Sequence, residues 1–239
     1  GTALTTGSDG SIYVAGAMQG GLDGQSNSSA YEYTDGLLIK YDPDGTKLWT
    51  RLFSNDYYKS TSGTALTTGN DGSIYIAGNF SLNKYNPDGT KEWTKPGSAG
   101  TEIYGQHYSL TTGNDGSIYM AGREVVLDGQ NNYEINDLFI SKYDPNGTKD
   151  WTRLLGSLTD DYDIANALTT GNDGSIYMAG TAYGDLDGQT NNGDTDAFIT
   201  RFNPDGTKNF TRLLGTSEDD DGLALTTGSD GSIYIAGST

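Results

Sequence analysis

Apolar and polar residues alternate along this chain in short runs, and glycine-centred turns close each run. Ser11-Ile12-Tyr13-Val14-Ala15 and Phe139-Ile140-Ser141-Lys142-Tyr143 are typical. The period is two, so each run puts one face inward and one outward as a β-strand does; no stretch shows the spacing of three and four that marks an amphipathic helix. Between the runs stand Asn-Asp-Gly, Ser-Asp-Gly or Pro-Asp/Asn-Gly, which are hairpin turns because glycine accepts positive φ without a steric penalty. The pattern therefore predicts an all-β chain built of hairpins.

The hairpins recur. ALTTG(S/N)DGSIY(V/I/M)AG starts at Ala3, Ala65, Ala167 and Ala224, with a variant from Ser109, and (K/R)(Y/F)(D/N)P(D/N)GTK starts at Lys40, Lys84, Lys142 and Arg201. The aspartates of the first segment, Asp9, Asp71, Asp115, Asp173 and Asp230, lie 62, 44, 58 and 57 residues apart. One repeat holds four strands, A and B from the first segment and C and D from the second. A four-stranded antiparallel unit repeated at this period is the signature of a β-propeller blade, which buries its two faces only by stacking on its neighbours. Complete blades are expected at about 1–53, 63–96, 107–156 and 165–215, with a half blade of strands A and B at 222–239. The whole of 1–239 reads as a single propeller domain of five blade positions, or as a fragment of a larger ring.

These residues also resemble a known family. DGSIYVAG, then LDGQ, then DAFITRFNPDGTKNFTRLLGTSEDDDGLALTTG is similar to the bacterial SBBP-type β-propeller repeat, and the Asp-Gly-X-Ile-Tyr and Asp-Pro-Asp-Gly portions are similar to NHL-type blades. The resemblance covers nearly the whole chain and implies a seven-bladed ring, of which four and a half blades are written here. It also implies a large exported or surface protein, and its members often carry no assigned activity.

Composition changes the picture in two ways. Only 33% of residues are hydrophobic and the formal net charge is −18, values that without the repeat would suggest disorder. Tyr, Trp, Ala and Thr replace a Leu-rich core. The acidity also disfavours nucleic acid and anionic membrane surfaces as partners, and no apolar run is long enough for a membrane-inserting helix. With no cysteine, thiolate chemistry and disulfides are excluded, and the lone His107 rules out a multi-histidine metal centre within one chain. Gly1 follows no initiator Met and no signal peptide, so the chain reads as a mature form or an excised piece; the acidity, the abundance of Asn, Thr and Gly and the family resemblance suit a secreted or surface bacterial protein.

Candidate chemistry gathers in the connectors. The A–B and C–D turns are short and alike, whereas the B–C and D–A connections are long, variable and rich in Asp, Asn and Gln, so ligand binding is expected on that face. A sub-repeat, Leu-Asp-Gly-Gln, places Asp23 and Gln25, Asp128 and Gln130, and Asp187 and Gln189 there, with Asn191 and with His107 at the end of a D–A connection. Two readings of the acids stand side by side. Asp23, Asp35, Asp128, Asp137, Asp187, Asp194 and Asp196 could furnish the oxygen ligands of Ca²⁺. Alternatively LDGQ is a tight turn, with the aspartate before strand C fixing the loop exit; no contiguous EF-hand pattern occurs. Trp49, Trp93, Trp151 and Phe210 share one position, as do Tyr13, Tyr75, Tyr119, Tyr177 and Tyr234, and such regularity predicts packing, the tyrosine hydroxyls reaching solvent. His107 has no Gly-X-Ser-X-Gly partner for nucleophilic catalysis.

Three functions follow. The first is a non-catalytic extracellular binding or scaffold propeller that presents an acidic face to a protein, glycan or cation. The second is a polysaccharide-acting enzyme using connector carboxylates. The third is structural, with the half-blade edge a template for self-association or strand addition.

Overall fold

The computed structural model describes residues 1–25, 34–53, 63–78, 81–96, 109–124, 126–127, 130–131, 137–156 and 162–239. It is all β, as the alternation predicts: among the described residues there is no helix. The chain divides into two compact units, Gly1–Gly100 and Thr101–Thr239.

The first unit contains β1 (Ala3–Thr6), β2 (Ile12–Met18), β3 (Asp35–Tyr41) and β4 (Lys47–Phe53), then β5 (Gly63–Thr68), β6 (Ile74–Gly78), β7 (Ser81–Tyr85) and β8 (Lys91–Pro96). They form two antiparallel sheets in the sequential orders β1-β2-β3-β4 and β5-β6-β7-β8. The second unit has β9 (Ser109–Thr112), β10 (Ile118–Glu124), a two-stranded ribbon of β11 (Val126–Leu127) and β12 (Gln130–Asn131), then β13 (Asp137–Tyr143) and β14 (Lys149–Leu155). A further sheet is made by β15 (Ile164–Thr170), β16 (Ile176–Ala182), β17 (Asp196–Phe202) and β18 (Lys208–Leu214); β19 (Asp221–Thr227) and β20 (Ile233–Ser238) pair alone. Four sheets thus have the four-stranded meander of a propeller blade, and the last has two strands.

Turn chemistry sets each hairpin. Gly10 N donates to Gly7 O at 3.0 Å and Gly7 N to Ser11 O at 2.8 Å, while the Asp9 carboxylate accepts from Ser11 N at 2.9 Å. Gly10 sits at φ 80°, a conformation closed to most residues with a Cβ. The same bonds recur at Gly69–Ser73, Gly113–Ser117, Gly171–Ser175 and Gly228–Ser232. In the C–D turns Asp42 Oδ1 accepts from Asp44 N and Thr46 N, with Gly45 at φ 84°. The A–B and C–D turns share one end of a sheet, since a Cβ on Gly10 would lie 3.1 Å from Pro43.

Within each unit the sheets pack face to face. Ala15, Leu38, Phe53, Leu66, Ile74, Ile76 and Tyr85 bury one interface, and Ala121, Leu138, Ile140, Leu155, Leu168, Ile176, Met178, Phe198 and Phe202 bury the other. Tyr13, Tyr75 and Tyr119 are only 1–2% exposed. Their interface role is as expected, but their envelopment corrects the expectation that they sit with hydroxyls in solvent. Each leans on the tryptophan of its own sheet at 6.1–6.2 Å between ring centroids. Lys40, Lys84 and Lys142 lie over the same rings at 5.3, 5.9 and 5.7 Å.

Candidate functional site

The Leu-Asp-Gly-Gln segments are two-residue hairpins. Leu22 and Gln25 exchange both backbone hydrogen bonds at 3.0 Å, and the central Asp23 and Gly24 have φ of 52° and 77°. Two successive positive φ values define a type I′ turn, for which Asp-Gly is a preferred sequence. Leu186–Gln189 repeats it, with Asp187 at 54° and Gly188 at 74°. In the third sheet the Leu127–Gln130 pairing has the same backbone register.

The first of these turns lies along the outer strand of its sheet. Gln25 Nε2 donates to Thr50 O at 2.7 Å and Gln25 Oε1 accepts from Leu52 N at 3.1 Å, so one side chain satisfies the outward-facing groups of β4. Asp23 takes Lys47 Nζ at 2.7 Å and the Thr50 hydroxyl at 2.5 Å. These donors, the lysine first and the threonine second, hold the Asp23 carboxyl below the usual aspartate range. Lys208 likewise pairs with Asp187. An open edge invites another strand, and a side chain that occupies it is a known protection. The placement differs from the connector face expected for Asp23 and Gln25, because the Leu22–Gln25 hairpin lies along β4.

The remaining predicted residues divide by what they contact. Asn191 organises its loop: its N–H donates to Asp185 at 2.9 Å, its Nδ2 to Ala182 O at 3.2 Å, and its Oδ1 accepts from Gly193 N at 2.9 Å. Asp196, fully buried at the start of β17, accepts from Asn192 N at 3.1 Å. It therefore fixes the loop exit, as the turn reading predicts, while its other oxygen has no hydrogen-bond partner among the described residues. Asp35 is buried at the start of β3, and Asp194 is exposed. Gln130 and Asp137 are described by backbone alone, at the starts of β12 and β13; Asp128 and His107 lie outside the described residues. Among the described residues no group of three or more His, Cys, Asp or Glu could hold a metal ion.

In the second unit the structure does bring two connectors together. Asp220 N donates to Thr195 O at 2.9 Å, and the Asp220 carboxylate accepts from Thr216 N and Oγ1 at 2.6 and 2.9 Å. The Asp220 carboxyl is held below its ordinary range by the Thr239 hydroxyl first and by the Thr216 amide next. Gly193 lies so close to the backbone of Glu218 that a Cβ would come within 2.2 Å of its carbonyl. Residues 183–195 and 215–220 thus form one surface, with Asp185, Asp194, Glu218 and Asp219 exposed on it.

A second arrangement went unread in the sequence. Arg51 of β4 donates through Nε to Gly89 O at 2.8 Å and through Nη2 to Asp88 O at 3.1 Å, gripping the C–D turn of the adjacent sheet, and Trp49 Nε1 reaches Pro87 O at 3.3 Å. Arg153 of β14 does the same to Gly206 O and Asp205 O at 3.1 and 3.4 Å. Each guanidinium also stacks on its own tryptophan at 5.2 Å. The signal is the recurrent Trp-Thr-Arg opposite Pro-Asp-Gly.

The fold is that of a β-propeller. Residues 69–92 and 171–209 match the family described as "Domain of unknown function (DUF5122) beta-propeller". The regulatory protein FlaEY of Caulobacter vibrioides is 30% identical over 226 residues, which is 90% of this chain and 20% of that protein. The chain thus spans about a fifth of that relative's length. A protein of unknown function from Dyadobacter fermentans superposes with a TM-score of 0.65 at 12% identity, covering 98% of this chain and 73% of that one. A polysaccharide lyase, PL25 ulvan lyase, gives 0.56 at 11% identity, covering 98% of this chain and 65% of that one. At such identities the likeness is one of fold.

Proposed function

We propose that this chain is a non-catalytic binding or scaffold module of an exported bacterial protein, and that its acidic connectors meet a protein, a glycan or a cation. The observation that carries the reading is the joined surface of residues 183–195 and 215–220. Its scaffold is fixed by Asn191, Asp220 and Asp196, while Asp185, Asp194, Glu218 and Asp219 stand outward. A rigid frame with carboxylates facing solvent binds at low entropic cost; a chain of net charge −18 draws cationic ligands towards it, and the carboxylates accept hydrogen bonds from hydroxyl-rich ones at contact. Ca²⁺ would need backbone carbonyl, amide and water oxygens to complete its shell here, since no three of the described carboxylates converge on one point.

The test compares the wild type with the triple variant Asp194→Asn, Glu218→Gln, Asp219→Asn. Thermal melting is followed with excess Ca²⁺ or EDTA, and binding is followed on a glycan array. A shift of several degrees with Ca²⁺, or glycan binding, that the variant loses supports the reading, because a ligand of the folded state raises its stability. Binding retained in full by the variant, or new reducing ends released from an arrayed polysaccharide, would overturn it.

A further inference from the structure

Two tyrosines at the connector end of the β15–β16 pair are not explained by the repeat. Tyr183 stands where the first sheet has Gln19, and Tyr162, five residues before Ala167, stands where the last repeat has Asp219, five before Ala224. Residues that recur from sheet to sheet serve packing, as Tyr13, Tyr75 and Tyr119 do. Tyr162 and Tyr183 do not recur, and they are 58% and 46% exposed. Both lie two positions beyond the end rung of the ladder, Ile164 with Thr181. Tyr183 N donates to the carboxylate of the buried Asp163 at 3.0 Å, so the residue next to Tyr162 fixes the backbone of Tyr183. An exposed aromatic ring on a fixed backbone is a common anchor for a partner, because it offers contact area at little cost in conformational entropy.

Charge selects the partner. Residues 183–195 and 215–220 contain six carboxylates and no lysine or arginine, and only Asp187 among those acids is paired with a described lysine, Lys208. Directly beneath, the fully buried Asp196 has an unpartnered Oδ1 that faces Gly215 at the root of the second connector. A buried carboxylate with a free oxygen adds its negative field to that of the exposed acids, because little water lies between to screen it. The ligand that matches this field is cationic. No three of the described carboxylates converge, so the surface suits several separate positive charges better than one metal ion. Arginine suits both parts of the surface, since its guanidinium takes a carboxylate through two parallel hydrogen bonds and lies flat on an aromatic face. Tyr162 already accepts such a contact from the Arg123 guanidinium, 5.2 Å from its ring centre, and more than half of its surface stays open.

We infer that this surface binds an arginine-rich segment of a partner protein, whose guanidinium groups stack on Tyr162 and Tyr183 and pair with Asp185, Asp194, Glu218 and Asp219. The inference rests on the reading of these connectors as a binding surface, and among the ligands named there it selects a basic protein over a glycan or a metal ion.

The probe is a fluorescein-labelled peptide of four Gly-Arg repeats, titrated with the full chain and read by fluorescence anisotropy at about 0.15 M salt, where long-range attraction is screened. Saturable binding is expected, and a peptide with citrulline in place of arginine, similar in shape but uncharged, should not bind. Tyr162→Ala combined with Tyr183→Ala leaves the net charge unchanged and should weaken binding about tenfold through the loss of two cation–π contacts. Both side chains are exposed, so thermal melting of that variant should match the wild type. Asp194→Asn, Glu218→Gln and Asp219→Asn together should weaken binding further. Asp44→Asn, Asp150→Asn and Asp205→Asn remove the same charge from exposed positions elsewhere and should leave the affinity within about twofold. Equal weakening by the two acid triples, full binding by the tyrosine variant, or binding of the citrulline peptide would overturn the inference, because net charge or the peptide backbone would then account for the attraction. If the arginine peptide fails to bind while an arrayed glycan or Ca²⁺ binds and is lost in the connector triple, this inference falls and the reading of a binding surface stands. If none of the three binds, both fall.

Discussion

The sheet β15–β18 and the pair β19–β20 share their first two strands almost residue for residue, yet only one of them is closed. Both have the Asp-Gly turn, the Thr-to-Tyr cross-strand pairs and a register shift after the second residue of the first strand. In the complete sheet Ile176 and Met178 are fully buried; in the pair Ile233 and Ile235 are half-buried and Tyr234 is exposed. The comparison separates what local chemistry does from what packing does. Turn residues are sufficient to fold and register a hairpin, whereas the interior is made when strands C and D widen the sheet and neighbouring sheets stack on its faces.

That separation can be broken at several points. The largest effect should come from Ile176→Ala, which empties a fully buried position in the second unit's core and should cost about 2–5 kcal/mol, against less than about 1 kcal/mol for Ile233→Ala. Urea unfolding should show a lower midpoint for the first with an unchanged slope. If the two cost the same, β19–β20 is as well packed as β15–β18 and the contrast is lost. Next is Gly174→Ala, at φ 80°, which should cost about 1–2 kcal/mol through backbone strain; Gly231→Ala, at φ 84°, should cost the same, because the turn does not depend on strands C and D.

Smaller effects concern the edge and the charges. Gln25→Ala leaves Leu52 N of β4 to water, while Thr50 O keeps Arg51 Nη1 at 2.8 Å, and should cost about 1 kcal/mol, with greater aggregation on heating measured by light scattering. The turn aspartates Asp9, Asp173 and Asp230 all have carboxyls held below the ordinary range, chiefly by the serine amide that each accepts. Because the folded value is the lower one, their contribution is complete above the unfolded value near 4 and disappears as pH falls through the folded value. Stability should therefore decline below about pH 4. Asp173→Asn should flatten that decline slightly more than Asp230→Asn, since Arg201 assists only Asp173.

Much of this was legible in the sequence because it is local. The Asp-Gly and Pro-Asp-Gly turns, the strand alternation and the four-strand repeat are written within a few residues of one another. Leu-Asp-Gly-Gln could be read as a tight turn for the same reason. What its side chains do could not, since Gln25 bonds to residues 25 and 27 positions away, on the outermost strand of its sheet. The arginine grip spans 37 to 53 positions and joins two different sheets. The burial of Tyr13, Tyr75 and Tyr119 needs the lysine and tryptophan of later strands. Connector carboxylates were the hardest to assign. Asp185, Asp187, Asp194 and Asp196 stand within twelve residues, and only the fold separates a fully buried loop-exit group from a lysine partner and exposed acids.

Amide hydrogen exchange followed by mass spectrometry tests most directly the claim that a hairpin becomes interior only when strands C and D widen its sheet and neighbouring sheets stack on it. Peptides covering β16 should exchange at a rate set by opening of the whole second unit, and peptides covering β20 should exchange orders of magnitude faster, because one side of that strand has no hydrogen-bonded neighbour. Equal protection of β16 and β20 in the isolated monomer would contradict the account.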